Sequence, residues 1–123
     1  MSELRPPTGF VWTFPAVVDR IVDGDTLEVH VLRGADRVEH GVNVRLEGMN
    51  AIELRDQFGR EAQGYLAALA PPGTAIMLLH RKREKFGRLL ARALLADGTD
   101  LSTALLTAKA SDGTTPLAVP YSG

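Results

Sequence analysis

Residues 16–46 read AVVDRIVDGDTLEVHVLRGADRVEHGVNVRL, and the apolar residues in this stretch decide the fold. They stand at alternating or near-alternating positions, which is typical of half-buried β-strands. The tripeptide DGD at 23–25 and the glycine-bounded stretch 34–41 separate them into groups and favour turns. The pattern predicts three consecutive strands, built on Val17, Val18, Ile21 and Val22, then Leu27, Val29 and Val31, then Val42, Val44 and Leu46.

Downstream of this meander the spacing of apolar residues changes to that of a helix. Ala62, Leu66 and Leu69 form one stripe within residues 57–70, and the Pro-Pro-Gly sequence at 71–73 ends it. Residues 75–80 and 89–95 return to a strand pattern, and Asp97-Gly98 forms a turn into a short helix over 101–108. The predicted order is therefore βββαββα.

Five short strands with a helix after the third are the components of a five-stranded Greek-key barrel of the OB type. We therefore expect an α+β fold that is mainly β, with a short C-terminal helix. The predicted organisation is a flexible lead-in at 1–13, a barrel domain at 14–110 and an extended C-terminal tail at 111–123. Such barrels often bind oligonucleotides, but the fold alone decides no function.

Composition narrows the class of protein. The chain has 123 residues, of which 45% are hydrophobic and 24% charged, as expected for one globular domain. It contains no cysteine, which excludes disulfides, a thiolate nucleophile and a cysteine-bearing zinc site. No apolar run approaches the roughly 18 residues of a membrane span, and residues 1–15 lack the apolar core of a signal peptide. We expect a cytoplasmic protein with no membrane partner.

Charge is unevenly distributed along the chain, although the net charge is −1. Basic residues are concentrated between positions 81 and 92, namely Arg81, Lys82, Arg83, Lys85, Arg88 and Arg92. Such a run is either a solvated face or a surface that attracts a polyanion. The three histidines, His30, His40 and His80, have no mutual spacing that indicates a site, and we interpret them as surface residues of strands or loops.

Four polar features could carry chemistry, and each has an ordinary structural alternative. The turn DGDT at 23–26 is either a decorated hairpin turn or a hard-cation site. Glu53 suits the start of a helix as well as it suits proton abstraction. Arg45 and Arg88 both stand at predicted strand ends, where an arginine is commonly an exposed residue without a functional role.

Together these features resemble the staphylococcal-nuclease-like (thermonuclease) family. The resemblance rests on VDGDTLEV at 22–29, VRLEGMNAIEL at 44–54, QFGREAQGYLAAL at 57–69 and REKFGRLLARALLADGTDLSTALL at 83–106. The motifs occur in the family's order and spacing over most of the chain, from about residue 18 to 106. The resemblance implies an OB-type barrel and a Ca²⁺-dependent endonuclease that hydrolyses DNA and RNA with little sequence preference.

The resemblance also implies roles for individual residues. Asp25 and Asn50 fall on the side-chain ligands of the metal, and Ala51 falls on the residue that lends its backbone carbonyl. Glu53 falls on the glutamate that orients or deprotonates the attacking water. Arg45 and Arg88 fall on the two arginines that clamp the phosphate.

Substrate contacts follow in the same way. The resemblance implies that Phe86 lines the nucleotide site and that Tyr121 stacks on a nucleotide, while Lys82 and Lys85 steer the polyanion. Asn50 stands where the family has aspartate, and a neutral amide oxygen brings no net charge to a cation. The alternative is therefore a catalytically impaired nucleic-acid-binding barrel, and Mg²⁺ or Mn²⁺ could replace Ca²⁺. A homodimer or another partner is expected to cover a flank left open after the second helix.

Overall fold

The computed structural model describes residues 12–34, 36–83 and 88–121, without the side chains of residues 12 and 81–83. The described residues contain seven strands and two helices. They are β1 (Trp12–Asp23), β2 (Thr26–Gly34), β3 (Arg37–Leu46), β4 (Met49–Ala51), α1 (Gly59–Leu69), β5 (Ala75–Arg83), β6 (Leu89–Leu94), α2 (Leu101–Thr107) and β7 (Ala118–Pro120).

Five of the strands close a barrel in the order β1-β2-β3-β6-β5, and β5 returns to pair with β1. Neighbouring strands are antiparallel except β3 and β6, which are parallel. The predicted five-stranded OB-type barrel, with a helix after the third barrel strand and a short second helix, is therefore confirmed.

The barrel core follows from the alternation in the sequence. Along β2, Leu27, Val29 and Val31 are completely buried, whereas Glu28 and His30 are only half-buried. Register shifts interrupt the β1–β2, β2–β3 and β5–β6 pairings. Such bulges bend and twist the strands, which allows a sheet of only five strands to close into a barrel.

Both helices complete this core. Ala62 and Leu66 of α1 and Leu101 and Leu105 of α2 belong to the same buried cluster as the barrel strands. The carboxylate of Asp100 caps α2 by accepting hydrogen bonds from the backbone of Ser102 at 2.9 Å and Thr103 at 3.4 Å. These bonds satisfy amides that the first turn of a helix leaves without partners.

A second sheet of two short antiparallel strands, β4 and β7, was not predicted from the sequence. It places the segment after α2 beside the loop that follows β3. Leu117 and Ala118 are buried there, and Glu61 of α1 accepts hydrogen bonds from the backbone and hydroxyl of Ser111. Across the described ranges, neither helix has the length and apolar character to cross a membrane.

Candidate active site

The turn between β1 and β2 brings two carboxylates to one end of the barrel. Asp23 closes β1, and its Oδ1 accepts a hydrogen bond from the backbone N–H of Asp25 at 3.0 Å. A Cβ on Gly24 would lie 2.6 Å from the Cβ of Ala51 and 2.9 Å from the Cβ of Ala62. Glycine is therefore required for the turn to pack this closely against β4 and α1.

Asp25 is held at both carboxylate oxygens. Its Oδ2 accepts a hydrogen bond from the backbone N–H of Ala51 at 3.0 Å, and its Oδ1 accepts one from the Thr26 hydroxyl at 3.2 Å. The backbone carbonyl of Asp25 accepts a further bond from the N–H of Leu46 at 2.8 Å. The acidic turn is thereby fixed to the end of β3 and to β4.

Arg45, near the end of β3, is only 8% exposed. Its Nη1 donates to the carbonyls of Leu46 at 2.7 Å and Met49 at 2.9 Å. Its Nη2 donates to Oδ1 of Asn50 and lies 3.5 Å from Oδ2 of Asp25. Because the partners come from three separate segments, the guanidinium is locked in one orientation.

Asp23 and Asp25 are unfavourable neighbours when both are ionised. Burial raises the pKa of Asp23 above its usual 3.8, and the side-chain hydrogen bond and the charge of Asp25 raise it further, whereas the backbone N–H of Asp25 lowers it. A neighbouring carboxylate in a partly desolvated turn thus disfavours the ionised form of Asp23. A cation bound beside the two carboxylates would reduce the repulsion between them.

A surface cleft of about 330 Å³ opens beside this turn, lined by Asp23, Asp25, Ala51, Ile52, Glu53 and Leu54. Its polar donors are carboxylate and backbone oxygens, which suit a hard divalent cation such as Ca²⁺. Among the residues of 12–34, 36–83 and 88–121, no three His, Cys, Asp or Glu side chains form a metal-holding group. Backbone carbonyls and water would therefore have to complete the coordination.

The two other sequence-predicted ligands occupy different positions. Ala51 lines the cleft. Asn50 is not among the lining residues, and its Oδ1 accepts the hydrogen bond from Arg45. The amide oxygen of Asn50 therefore faces the guanidinium of Arg45. The role of Asn50 as a metal ligand stays a prediction.

Glu53 lines the cleft with an exposed side chain. Its Oε2 forms an ion pair with Nε of Arg55 at 2.6 Å, and the two side chains are 63% and 83% exposed. The loop that carries Glu53 is packed tightly on itself, since a Cβ on Gly59 would lie 2.0 Å from the Glu53 carbonyl oxygen. The backbone at Glu53 is thus fixed while its carboxylate stays accessible to solvent.

Tyr121 lies beside Arg45, and Arg88 stands just before the strand that pairs with β3. Arg88 is half-buried and directly precedes β6, in which Leu90 pairs with Arg45. The ring of Tyr121 is centred 6.0 Å from Cζ of Arg45, and its backbone N–H donates to the Gly48 carbonyl at 3.1 Å. Tyr121 is 49% exposed, so a face of the ring remains available.

The remaining substrate contacts expected from the sequence are not described by the structure. Lys85 and Phe86 lie outside the described residues. The backbone of Lys82 pairs with Leu90 in the β5–β6 ladder, but its side chain lies outside the description. Their roles stay predictions.

The cleft also includes Ile52 and Leu54, to which the sequence had assigned no role, and Asp23, which the sequence placed in the candidate hard-cation turn but not among the named ligands. The place of Asp23 could be predicted from the sequence, because two carboxylates that flank one glycine in a hairpin turn must lie close together. The places of Ile52 and Leu54 could not be predicted, since they depend on how the loop after β4 folds.

Relatives of the chain are named as endonucleases. It is 26% identical over 118 residues to an uncharacterized endonuclease of Escherichia coli O157:H7, a match that covers 90% of this chain and 72% of that protein. A protein of the same name from Escherichia coli matches equally. Endonuclease YhcR of Bacillus subtilis strain 168 is 26% identical over 115 residues, which cover 86% of this chain and 9% of YhcR.

No family model matches the chain. Its likeness to proteins named as endonucleases nevertheless supports nuclease as the general class of activity, with nucleic acid as the corresponding class of substrate.

Proposed function

We propose that this chain is a thermonuclease-like endonuclease that hydrolyses phosphodiester bonds of DNA or RNA with a divalent cation, Ca²⁺ in the first place and Mg²⁺ or Mn²⁺ as alternatives. The observation that carries the proposal is the buried Arg45 beside Asp25 at a cleft lined by carboxylates. A fixed guanidinium next to acidic oxygen ligands is suited to a phosphodiester, which is itself an anion.

The metal would be held by the carboxylate of Asp25 and the carbonyl of Ala51, with Asp23 close behind them. When bound, a divalent cation polarises a phosphoryl oxygen and neutralises charge in the transition state. Asp25 suits this role because its position is fixed before any ligand arrives, by bonds from Ala51 and Thr26.

Arg45 would stabilise the negative charge that develops on the phosphoryl oxygens. Its Nη atoms already contact Leu46, Met49, Asn50 and Asp25, so a phosphate oxygen would bind at Nε or replace the amide oxygen of Asn50. Because the protein holds the guanidinium in place, little reorganisation is needed during the reaction. Arg88, next to the strand that pairs with Arg45, would supply a second positive charge.

Glu53 would act as the general base. Its carboxylate takes a proton from water while the water oxygen forms a bond to phosphorus, the opposite P–O bond breaks, and the leaving oxygen takes a proton from solvent. The ion pair with Arg55 is exposed on both sides and therefore restrains Glu53 only weakly. Solvent access at this carboxylate is what the hydrolysis requires.

The proposed low sequence preference is supported by the shape of the site. The cleft lies on the surface, and nothing in its lining resembles a closed pocket that would enclose one base. The exposed ring of Tyr121 provides a flat face beside Arg45. Stacking on such a ring tolerates any base.

A matched pair of glutamate variants tests the proposed base. Glu53→Gln removes the proton acceptor, whereas Glu39→Gln changes a second exposed glutamate that also pairs with an arginine, Arg33. We expect Glu53→Gln to lower the cleavage rate of plasmid DNA and of a labelled oligonucleotide about 10²-fold or more, with unchanged oligonucleotide affinity. The Glu39→Gln rate should match the natural protein, and equal rates for all three proteins would refute the role of Glu53.

The second candidate function is a nucleic-acid-binding barrel that has lost useful catalysis. It is favoured by Asn50, whose amide oxygen bonds to Arg45 rather than lining the cleft. In that case oligonucleotide binding would be measurable while no cleavage accumulates with Ca²⁺, Mg²⁺ or Mn²⁺. The expected homodimer is a separate proposal, which analytical ultracentrifugation would test.

A further inference from the structure

Two histidines whose spacing in the sequence indicated no site, His30 and His40, contact each other on the β2–β3 face of the barrel. Nδ1 of His40 lies 3.2 Å from Nδ1 of His30, and the ring centroids are 4.8 Å apart with an angle of 69° between the planes. Neither residue lines the cleft beside Asp25. We propose that His30 and His40 form a binding site for a transition-metal cation of the Zn²⁺ type, separate from the candidate active site.

The meeting of these rings depends on a bulge in β3. Val31 pairs with Glu39 and Val29 pairs with Val42, so one residue of β2 stands opposite two residues of β3. Gly41 has φ = 68°, a left-handed conformation that glycine adopts without strain. A bulge of this kind redirects the neighbouring side chain, which brings His40 against His30.

Asp19 on β1 lies on the other side of the His30 ring. Its Oδ1 lies 3.6 Å from Nε2 of His30, across the β1–β2 pair. The tautomer with its proton at Nε2, on the side of this carboxylate, is the form that can bind a cation through Nδ1. Metal-bound histidines commonly have such a carboxylate on their second nitrogen.

The spacing of the two Nδ1 atoms fits one tetrahedral cation. Two Zn–N bonds of about 2.0–2.1 Å at a tetrahedral angle place the nitrogens about 3.3 Å apart. The observed separation is 3.2 Å, so a cation could replace the hydrogen that the rings now share without a large movement. The His30 side chain is 32% exposed and His40 is exposed, which leaves an entry path from solvent.

Ligand chemistry separates this pair from the cleft. Imidazole nitrogens favour Zn²⁺, Ni²⁺ and Cu²⁺ over Ca²⁺ or Mg²⁺, whereas the cleft offers oxygen ligands. With two protein ligands, the remaining coordination positions would be filled by water. The proposal does not rest on the nuclease activity, and binding of zinc can be measured without any nucleic acid.

The test is a zinc titration of the full chain, by calorimetry and by competition with a fluorescent zinc chelator. We expect one zinc ion per chain at the histidine pair, with at least a tenfold loss of affinity in either His30→Gln or His40→Gln. His80→Gln is the matched control, because His80 lies on β5 and its Nδ1 is 3.4 Å from the Leu90 carbonyl rather than from a second imidazole. It should bind zinc as the natural protein does.

A second variant separates the two metal sites. Asp25→Asn removes a carboxylate of the cleft and none beside the histidine pair, so zinc affinity at the histidine pair should be unchanged in the folded variant. Circular dichroism verifies that each variant is folded, which the exposure of His40 favours. The proposal is overturned if no zinc binds, if His30→Gln and His40→Gln bind it as tightly as the natural protein, or if Asp25→Asn removes the binding.

Discussion

Oδ2 of Asp25 lies 3.5 Å from Nη2 of Arg45, in a pair whose side chains are only 17% and 10% exposed. The pair joins the β1–β2 turn to the end of β3, two places that the sequence separates by a whole strand. Removal of either charge would leave the other buried without its partner, which is commonly worth about 3–5 kcal/mol of stability. The same two residues therefore stabilise this end of the barrel, where we propose that a cation and the phosphate bind.

Arg45→Lys should abolish most cleavage even though the positive charge is kept. A lysine ammonium cannot reproduce the forked contacts to Leu46, Met49 and Asn50. We expect kcat to fall about 10²-fold or more, the scale observed when a fixed charge-stabilising donor is lost. The rate is to be measured below the unfolding temperature of the variant, which is expected to be lower.

The matched control is Arg20→Lys, since Arg20 pairs with Glu28 at 2.8 Å on the surface and is 61% exposed. Its cleavage rate should remain within about twofold of the natural protein, because exposed ion pairs contribute little. Full activity in folded Arg45→Lys would remove Arg45 from the mechanism.

Asn50→Asp should tighten Ca²⁺ binding. The single amide oxygen of Asn50 already accepts a bond from Arg45, and the amide nitrogen cannot coordinate a cation. Aspartate adds a second oxygen and a charge, worth roughly 4 kcal/mol at about 4 Å with an effective dielectric near 20, before desolvation. We expect calorimetry to show at least a tenfold lower Kd, and an unchanged Kd would mean that residue 50 does not face the metal.

Gly24→Ala should destabilise the protein, because the added methyl would overlap with Ala51 and Ala62. Overpacking of this kind costs about 1–3 kcal/mol in the free energy of unfolding, measured by denaturant titration. Gly64→Ala is the matched control within α1, where no atom lies within 4 Å of the new Cβ. It should be neutral or stabilise by up to about 1 kcal/mol, and equal stability of both variants would contradict the packing of the turn.

Asp112 should titrate at unusually low pH. The hydroxyl of Thr115 and the backbone amides of Thr115 and Thr114 lower its pKa from 3.8 to about 2. Its contribution to stability is therefore fully present above pH 3.8 and is lost as the pH falls toward about 2. In Thr115→Val, carbon-detected NMR should show the pKa of Asp112 moving up toward 3.8.

Asp97 provides an internal reference in the same spectra. Its pKa is lowered by Thr99, through the side chain first and then the backbone, and that turn is untouched in Thr115→Val. A pKa of Asp112 that does not change between the two proteins would show that the Thr115 hydroxyl is not what stabilises the carboxylate.

The barrel could be predicted because its signals are local. Alternation in β2 and β3, the glycine turns and the helical stripe at Ala62 and Leu66 all lie within windows of a few residues. Strands β4 and β7 could not be predicted, because each has three residues, too few to show a period, and each pairs with a segment far away in sequence.

The candidate site shows the same division. The convergence of Asp23 and Asp25 follows from one hairpin turn, so their sequence is informative. The hydrogen bond from Arg45 to Asn50 depends on the path of the chain after β3, and the place of Tyr121 depends on β7. The contact between His30 and His40 depends on a bulge at Gly41, whose register no sequence pattern reveals.

The measurement that tests the central proposal most directly is plasmid cleavage by the natural protein and by Asp25→Asn, each with Ca²⁺ and with excess chelator. Asp36→Asn, a change of an exposed aspartate in the β2–β3 connection, is the control. We expect the natural protein and Asp36→Asn to cleave only with the cation, and Asp25→Asn to be inactive under both conditions while remaining folded. Cleavage that persists in chelator, or in folded Asp25→Asn at the natural rate, would contradict a metal-dependent nuclease site at this turn.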